Sequence, residues 1–471
     1  MQKTWLILGL GLLLAACGQQ STPTANDNAE LSTEQPSFTA KETPEVVPGQ
    51  VIIKLKDGVT LQSLSAQSGI TLQSIRTLSG GEVLATITGG LTAQSNADTV
   101  AAVEVLKASV GDAAEYIQPN YIYRALATPN DTHYGKQWHY VKFNLPNAWN
   151  VTTGAGSPVV AVLDTGKTAH PDLNARWVGG YDFITSTTTS VDGNGRDSDA
   201  TDPGDKGDCG KGYQASSFHG THVAGTVGAT TNNSSGVAGV NWSARILPVR
   251  VLGKCGGSTA DIIDAIRWSA GMSVTGVPAN SYPAKVINMS LGGYLGYGNT
   301  CSTADTAQQA AINDVVARGA TVVVAAGNEN DNAQYYSPAS CNNTVTVAAT
   351  ETRNYRAPYS NYGSYIDVAA PGGDTSIDRN GDGYVDGVLS TLKKDDGTYV
   401  YSFYQGTSMA APHIAGLVSL MYTVKPTITP SQVLSTLRNS ATALSSTACP
   451  GGCGAGLVDA YKAVVNARNL P

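Results

Sequence analysis

Four short runs in the later two-thirds of the chain are apolar at nearly every position: PVVAVL at 158–163, KVINM at 285–289, TVVVAA at 321–326 and TVTVAA at 344–349. A strand with one wet face alternates apolar and polar residues, whereas a continuous apolar run must be covered on both faces. Between these runs lie segments at helical spacing, including 260–270 and 303–318, the second followed by Gly319, a residue suited to stopping a helix. Strands alternating with helices in this way specify an α/β unit, a mostly parallel sheet with helices on both faces. Ligands of such sheets bind beyond the carboxyl ends of the strands. That rule directs attention to Asp164, Ser290 and Asn328, which end three of the four runs.

With 471 residues there is room for a second domain upstream. Residues 1–17 read as an export signal: Lys3 supplies a positive start, 5–14 is an apolar run too short to span a bilayer, and small residues precede Cys17. Leu14, Ala15, Ala16 and Cys17 also resemble the bacterial lipobox, so a lipid anchor at Cys17 is expected. Residues 18–43, rich in Ser, Thr, Pro, Gln and acidic residues, read as a flexible linker. The texture changes at 44–127, where GQVIIKLK, EVLATITGG, AAVEVLKASVG and AEYIQPNYIYRAL predict a small α+β domain. Residues 128–471 form the larger unit.

Composition narrows the partners. Charged residues make up 14% and the net charge is −7, so there is no basic face for nucleic acid. Beyond Cys17 there remain Cys209, Cys255, Cys301, Cys341, Cys449 and Cys453, an even set in a chain expected to leave the cytoplasm. Disulfides are therefore predicted, paired between nearest neighbours, and zinc is disfavoured because no second Cys or His pair accompanies CPGGC. No signal for oligomers is present, so a monomer is expected. The chain ends soon after the helical run 458–467, so no added C-terminal binding domain is expected either.

Three polar segments carry chemistry when taken together. VVAVLDTG ends a buried strand with Asp164; HGTHVAGTVG opens a small-residue helix with His219; GTSMAAPHIAGL opens another with Ser408. Alone, each has an ordinary reading, as a turn cap, a structural histidine and a helix N-cap. A zinc reading of the two histidines fails because Gly220 and Thr221 stand where HExxH needs its glutamate. Together they supply a nucleophile, a base for its proton and a carboxylate to orient that base. AAGNEN adds Asn328, an amide donor beyond a buried strand.

In the order DTG, HGTHVAG and GTSMAAPHIAG, these segments resemble the signatures of the subtilisin-like serine proteases over residues 128–471. The resemblance implies a subtilisin-like fold and serine endopeptidase activity, with Asp164 orienting the imidazole, His219 as general base, Ser408 as nucleophile and Asn328 as oxyanion donor. No cofactor would take part in catalysis. It implies that MSLGG binds an extended protein or peptide substrate along Ser290, Leu291 and Gly292, with Gly257 on the opposite wall. Glu329 would favour a basic residue at one rim. Residues 44–127 would be an inhibitory propeptide, the chain's own intramolecular partner, cut between 124 and 130. The exported enzyme would be secreted after processing or held at a membrane as a lipoprotein. The rival from another class is a catalytically inactive relative serving as a binding scaffold; the intact Asp164, His219, Asn328 and Ser408 argue against it.

Structural calcium is expected at two acidic, glycine-rich loops. DRNGDGYVD spaces Asp378, Asn380, Asp382 and Asp386 like the early ligands of an EF-hand loop, although Leu389 stands where the closing glutamate belongs. The run 191–208 offers similar chemistry, with Asp197 and Asp202 foremost and Asp192, Asp199 and Asp205 beside them.

Overall fold

The structure is a computed structural model that describes residues 44–122 and 127–471. The leader, the linker, Cys17 and residues 123–126, which include 124–126 of the predicted cleavage window, lie outside the described residues. The described chain forms two compact units, divided between the two described stretches.

The N-terminal unit contains β1 (Val46–Leu55), α1 (Leu61–Ser68), β2 (Thr71–Thr77), β3 (Val83–Gly89), α2 (Asn96–Val110) and β4 (Ala114–Tyr121). Its strands form an antiparallel sheet in the order β2-β3-β1-β4. Alternation in β1 buries Val51 and Ile53 with Val103 and Leu106 of α2, leaving Ile52 and Lys54 only partly covered. One covered face explains the period of two. Sequence reading missed α1 and β2, whose runs carry few large apolar residues.

In the larger unit, the elements that build the site are β5 (Val159–Asp164), β6 (Tyr181–Asp182), α3 (His219–Gly228), β7 (Arg245–Arg250), α4 (Thr259–Ser269), β8 (Val286–Met289), α5 (Thr306–Ala317), β9 (Thr321–Ala325), β10 (Thr344–Thr350), β11 (Val368–Pro371), β12 (Val388–Lys393), β13 (Tyr399–Tyr404), α6 (Thr407–Val424), β14 (Ala441–Thr442) and β15 (Leu457–Val458). The main sheet runs β14-β15-β11-β10-β9-β8-β5-β7-β6, parallel except at the β14-β15 edge. Each apolar run divides between two cores. Val160 and Val162 pack with α3 and α6, while Val159, Ala161 and Leu163 pack with α4 and α5. Each buried valine or leucine among them contributes about 1.5–3 kcal/mol relative to exposure, which favours apolar residues on both faces.

All three predicted disulfides are present, Cys209–Cys255, Cys301–Cys341 and Cys449–Cys453. Among the described residues no helix is long and apolar enough to cross a membrane.

Candidate active site

After β5 the chain forms β6 and β7 on one side of it and then crosses to β8 on the other, so the sheet's order reverses beside β5. Asp164 ends β5 at that point, fully buried, with its own Oδ1 accepting Thr165 N at 2.8 Å. Helix α3 docks its first turn here. Gly220 N donates to Thr165 Oγ1 at 3.0 Å, and a side chain at Gly220 would lie 2.5 Å from the Gly166 carbonyl. Glycine is required at 220 for this approach. The docking places His219 Nδ1 2.8 Å from Asp164 Oδ1 and 3.0 Å from Oδ2. Nδ1–H therefore donates to the carboxylate, leaving Nε2 as the basic nitrogen. Burial pulls the His219 imidazole down, but the charge and hydrogen bond of Asp164, joined by the charges of Asp205 and Asp202, outweigh it and hold the group above its ordinary value.

Ser408 lies in the first turn of α6, where backbone amides have no helical acceptor. Pro412 lacks the N–H that would bond back to the Ser408 carbonyl. Ser290 Oγ replaces it, donating to Ser408 O at 2.8 Å, while Asn288 Nδ2 donates to Ser290 Oγ at 3.0 Å. The proline and the serine after β8 thus fix the backbone at Ser408. Ser408 Oγ itself donates to the Ser290 carbonyl at 3.3 Å, and among the described residues no hydrogen bond joins it to His219.

Asn328 follows β9. Its Oδ1 accepts from Thr407 N at 2.8 Å and Thr407 Oγ1 at 3.0 Å, which fixes the amide's orientation and leaves Nδ2 as the donor for a ligand. Gly406 has φ +149°, and a Cβ there would sit 3.5 Å from Ser408 N and 3.7 Å from Asn328 Nδ2. The Ser408 amide and the Asn328 side chain therefore lie close together beside Gly406. Sequence reading missed Thr407, Gly406 and Pro412; the residues flanking Ser408 were the signal.

Of the predicted substrate residues, Ser290 is buried under the site, Leu291 is half-buried, and Gly292 and Gly257 are exposed with backbone available to an extended chain. Glu329 is half-buried. Its Oε2 accepts Asn328 N at 2.8 Å and Asn361 Nδ2 at 2.9 Å, so the carboxylate closes its own turn.

Among the described residues no group of three or more His, Cys, Asp or Glu side chains is gathered as an ion requires. In 191–208 four carboxylates accept within the protein, Asp192 pairing with Arg250, Asp197 taking Asp199 N at 2.7 Å, Asp199 taking Thr201 and Asp205 taking Ser217, while Asp202 accepts Gly204 N through Oδ1 and leaves Oδ2 without a partner. Asp197 and Asp202 are not brought together around a common point; Asp202 is buried, which pushes its carboxyl up to about 7. In the loop at 378–386, Asp378 accepts Gly381 N and Gly383 N, and Asp382 accepts Tyr384 N. Asp386 is fully buried, accepts Thr352 Oγ1 at 2.9 Å and Arg379 N at 2.9 Å through Oδ2, and leaves Oδ1 without a partner.

A further acidic pair escaped sequence reading. Asp131 and Asp172 are buried around the loop after α3; Asp131 Oδ2 takes Asn232 N at 2.7 Å, Asp172 Oδ2 takes Val237 N at 3.0 Å, and Asp131 Oδ1 has no partner. Burial, with the charge of Asp172 added, raises the Asp131 carboxyl. The turn-rich run TNNSSG was the available signal.

Comparison with known proteins agrees with this geometry. A sequence model of the Subtilase family matches residues 156–456. The chain is 50% identical over 366 residues to an extracellular protease of Xanthomonas campestris pv. campestris, covering 75% of this chain and 59% of that protein. It is 42% identical over 372 residues to an extracellular basic protease of Dichelobacter nodosus, covering 74% and 58%. The chain thus spans about three-fifths of the length of these two relatives. Among solved structures, a protease from Pseudoalteromonas arctica aligns with a TM-score of 0.67 and 50% identity, covering 72% of this chain and 100% of that one. The chain belongs to the subtilase family.

Proposed function

We propose that the protein is an exported serine endopeptidase that hydrolyses peptide bonds through an acyl-enzyme. The observation that carries the reading is the joint fixing of His219 by Asp164 and of Asn328 by Thr407. Together these aim a basic nitrogen and an amide donor at the start of α6. An extended substrate pairs with the backbone at Leu291–Gly292 and Gly257. Ser408 Oγ leaves the Ser290 carbonyl, gives its proton to His219 Nε2 and bonds to the scissile carbonyl carbon. The carbonyl oxygen takes the electron pair and is held by Asn328 Nδ2 and Ser408 N. His219 then returns the proton to the leaving amine, the C–N bond breaks, and water repeats the sequence to release the acid and restore Ser408.

The N-terminal unit acts as an intramolecular inhibitor until the chain cuts itself between 124 and 130, which frees the catalytic unit from a lipid at Cys17. A structural calcium ion fits where buried carboxylate oxygens lack partners: Asp131 Oδ1 beside Asp172, and Asp386 Oδ1 under the 378–386 loop. Bound there, it neutralises the like charges. The intact mass of purified protein tests the reading. Wild type should shorten to about the mass of the larger unit and cleave an unfolded protein, whereas Ser408→Ala should remain full length and inert. A processed, inert wild type would favour the scaffold reading.

A further inference from the structure

The His219 signature contains a strained step. Phe218, which precedes the histidine and caps α3, has φ +43°, a left-handed conformation costly for a bulky residue, and its side chain makes no cap hydrogen bond. Such a turn persists only if its neighbours hold it. The residue before it, Ser217, is held at every polar atom. Its N donates to Asp205 Oδ1 at 2.6 Å, its Oγ donates to Asp205 Oδ2 at 2.7 Å and accepts His219 N at 3.3 Å, and its carbonyl accepts Tyr404 Oη–H at 2.9 Å. Both oxygens of one carboxylate therefore hold a single serine, whose hydroxyl in turn accepts the backbone N–H of His219.

We propose that Asp205 is a positioning residue for His219: it clamps the left-handed turn from which the imidazole projects and sets a second carboxylate behind the base that Asp164 orients. The inference rests on the serine-endopeptidase reading above. The loop carrying Asp205 is itself anchored. Asp202 N donates to the Lys167 carbonyl at 2.8 Å, Cys209 is bonded to Cys255 two residues before Gly257, and Ser216 Oγ donates to Asp395 Oδ1 at 2.6 Å. The carboxylate is thus tied covalently to the wall proposed to receive substrate.

The charged groups around the imidazole are Asp164 from β5, Asp202 and Asp205 from this loop, and His222 one turn along α3. Outside them lie Arg250, facing Asp202, and the Lys206–Asp395 pair at 3.6 Å. Negative charge at 205 favours the protonated imidazole, so its removal moves the acid limb of kcat/KM to lower pH. A residue that only held the fold would leave that limb in place.

The test compares wild type, Asp205→Ala, Asp205→Asn and Ser217→Ala on a chromogenic peptide anilide across the acid limb. Asp205→Ala should lower kcat about tenfold with KM changed less than about twofold, the signature of a misplaced base. The acid limb should move to lower pH in both Asp205 variants but stay in place in Ser217→Ala, which breaks the clamp and keeps the charge. Should Asp205→Ala fail to fold, Asp205→Asn still carries the pH measurement. Superimposable profiles for wild type and Asp205→Asn would overturn the inference alone; a folded, processed wild type without turnover would overturn the endopeptidase reading and this inference with it.

Discussion

Two histidines one turn apart on α3 occupy opposite electrostatic worlds. His219 faces the carboxyl end of β5, where Asp164 and the acidic loop hold it above the ordinary histidine value. His222 faces the β12–β13 hairpin, stacked on Tyr404 at 4.5 Å, with Nε2 3.0 Å from the Ser402 carbonyl. Burial without an anion pushes it down to about 3. Beyond it His139 Nδ1 meets His413 Nε2 at 2.7 Å, and burial carries His413 to about 4 and His139 well below its usual value. A histidine beside a buried carboxylate works as a proton carrier, whereas one beside a carbonyl and a ring is a neutral hydrogen-bonding spacer. Two occurrences of the same residue type in one motif therefore do different work, and only the neighbours decide which.

The largest expected break in this comparison is catalytic. His219→Ala should lower kcat on the order of 10⁶-fold, the scale established for subtilisin. Asn328→Ala should cost about 10²- to 10³-fold in kcat with KM little changed, again a scale known from subtilisin, as one of two oxyanion donors is lost. A steady-state comparison of kcat and KM checks both.

Calcium removal should act on stability instead. If the ion occupies its sites at about 100 times its Kd, it adds about 2.7 kcal/mol per site. Chelation should lower Tm by several degrees, and Asp131→Asn or Asp386→Asn should shrink that shift; equal melting with and without chelator would remove calcium from the account.

The smallest effect belongs to His222→Phe. Because the folded imidazole binds its proton only near pH 3, the unfolded state holds more protons between that value and about 6.5, and stability falls as pH drops through this window. Removing the group should make acid unfolding less steep, at a neutral-pH cost of about 1 kcal/mol for the lost bond to Ser402 O. The acid limb of kcat/KM should not move. If it does, the two histidines are coupled more closely than their partners indicate.

Much of this was legible in the sequence for a physical reason. The apolar runs read as doubly covered strands because alternate residues of β5 enter two different cores. Ser408, His219 and Asp164 were legible as a set because the chemistry needs all three. Less visible was the break at Asp305, which divides the predicted helix 303–318 into Cys301–Ala304 and α5. No glycine or proline marks it; Cys301 is held there by its disulfide and by Ser340 Oγ accepting its N–H at 2.9 Å. The acidic loops show a related difficulty. Aspartate spacing does not say whether an oxygen faces an ion or its own backbone amides, and at Asp378 both oxygens face amides. Asp205 stood out only as one acidic residue of its loop, and its tie to Ser217 left no pattern, since that serine lies twelve residues away across an irregular loop.

The central claim is that Ser408 is made nucleophilic by the His219–Asp164 pair. Mass mapping of the adduct left by a serine-reactive fluorophosphonate tests it most directly. The account predicts one adduct per processed chain, on the peptide containing Ser408, and none on folded His219→Ala. An adduct on another residue, or undiminished labelling of Ser408 without His219, would contradict it.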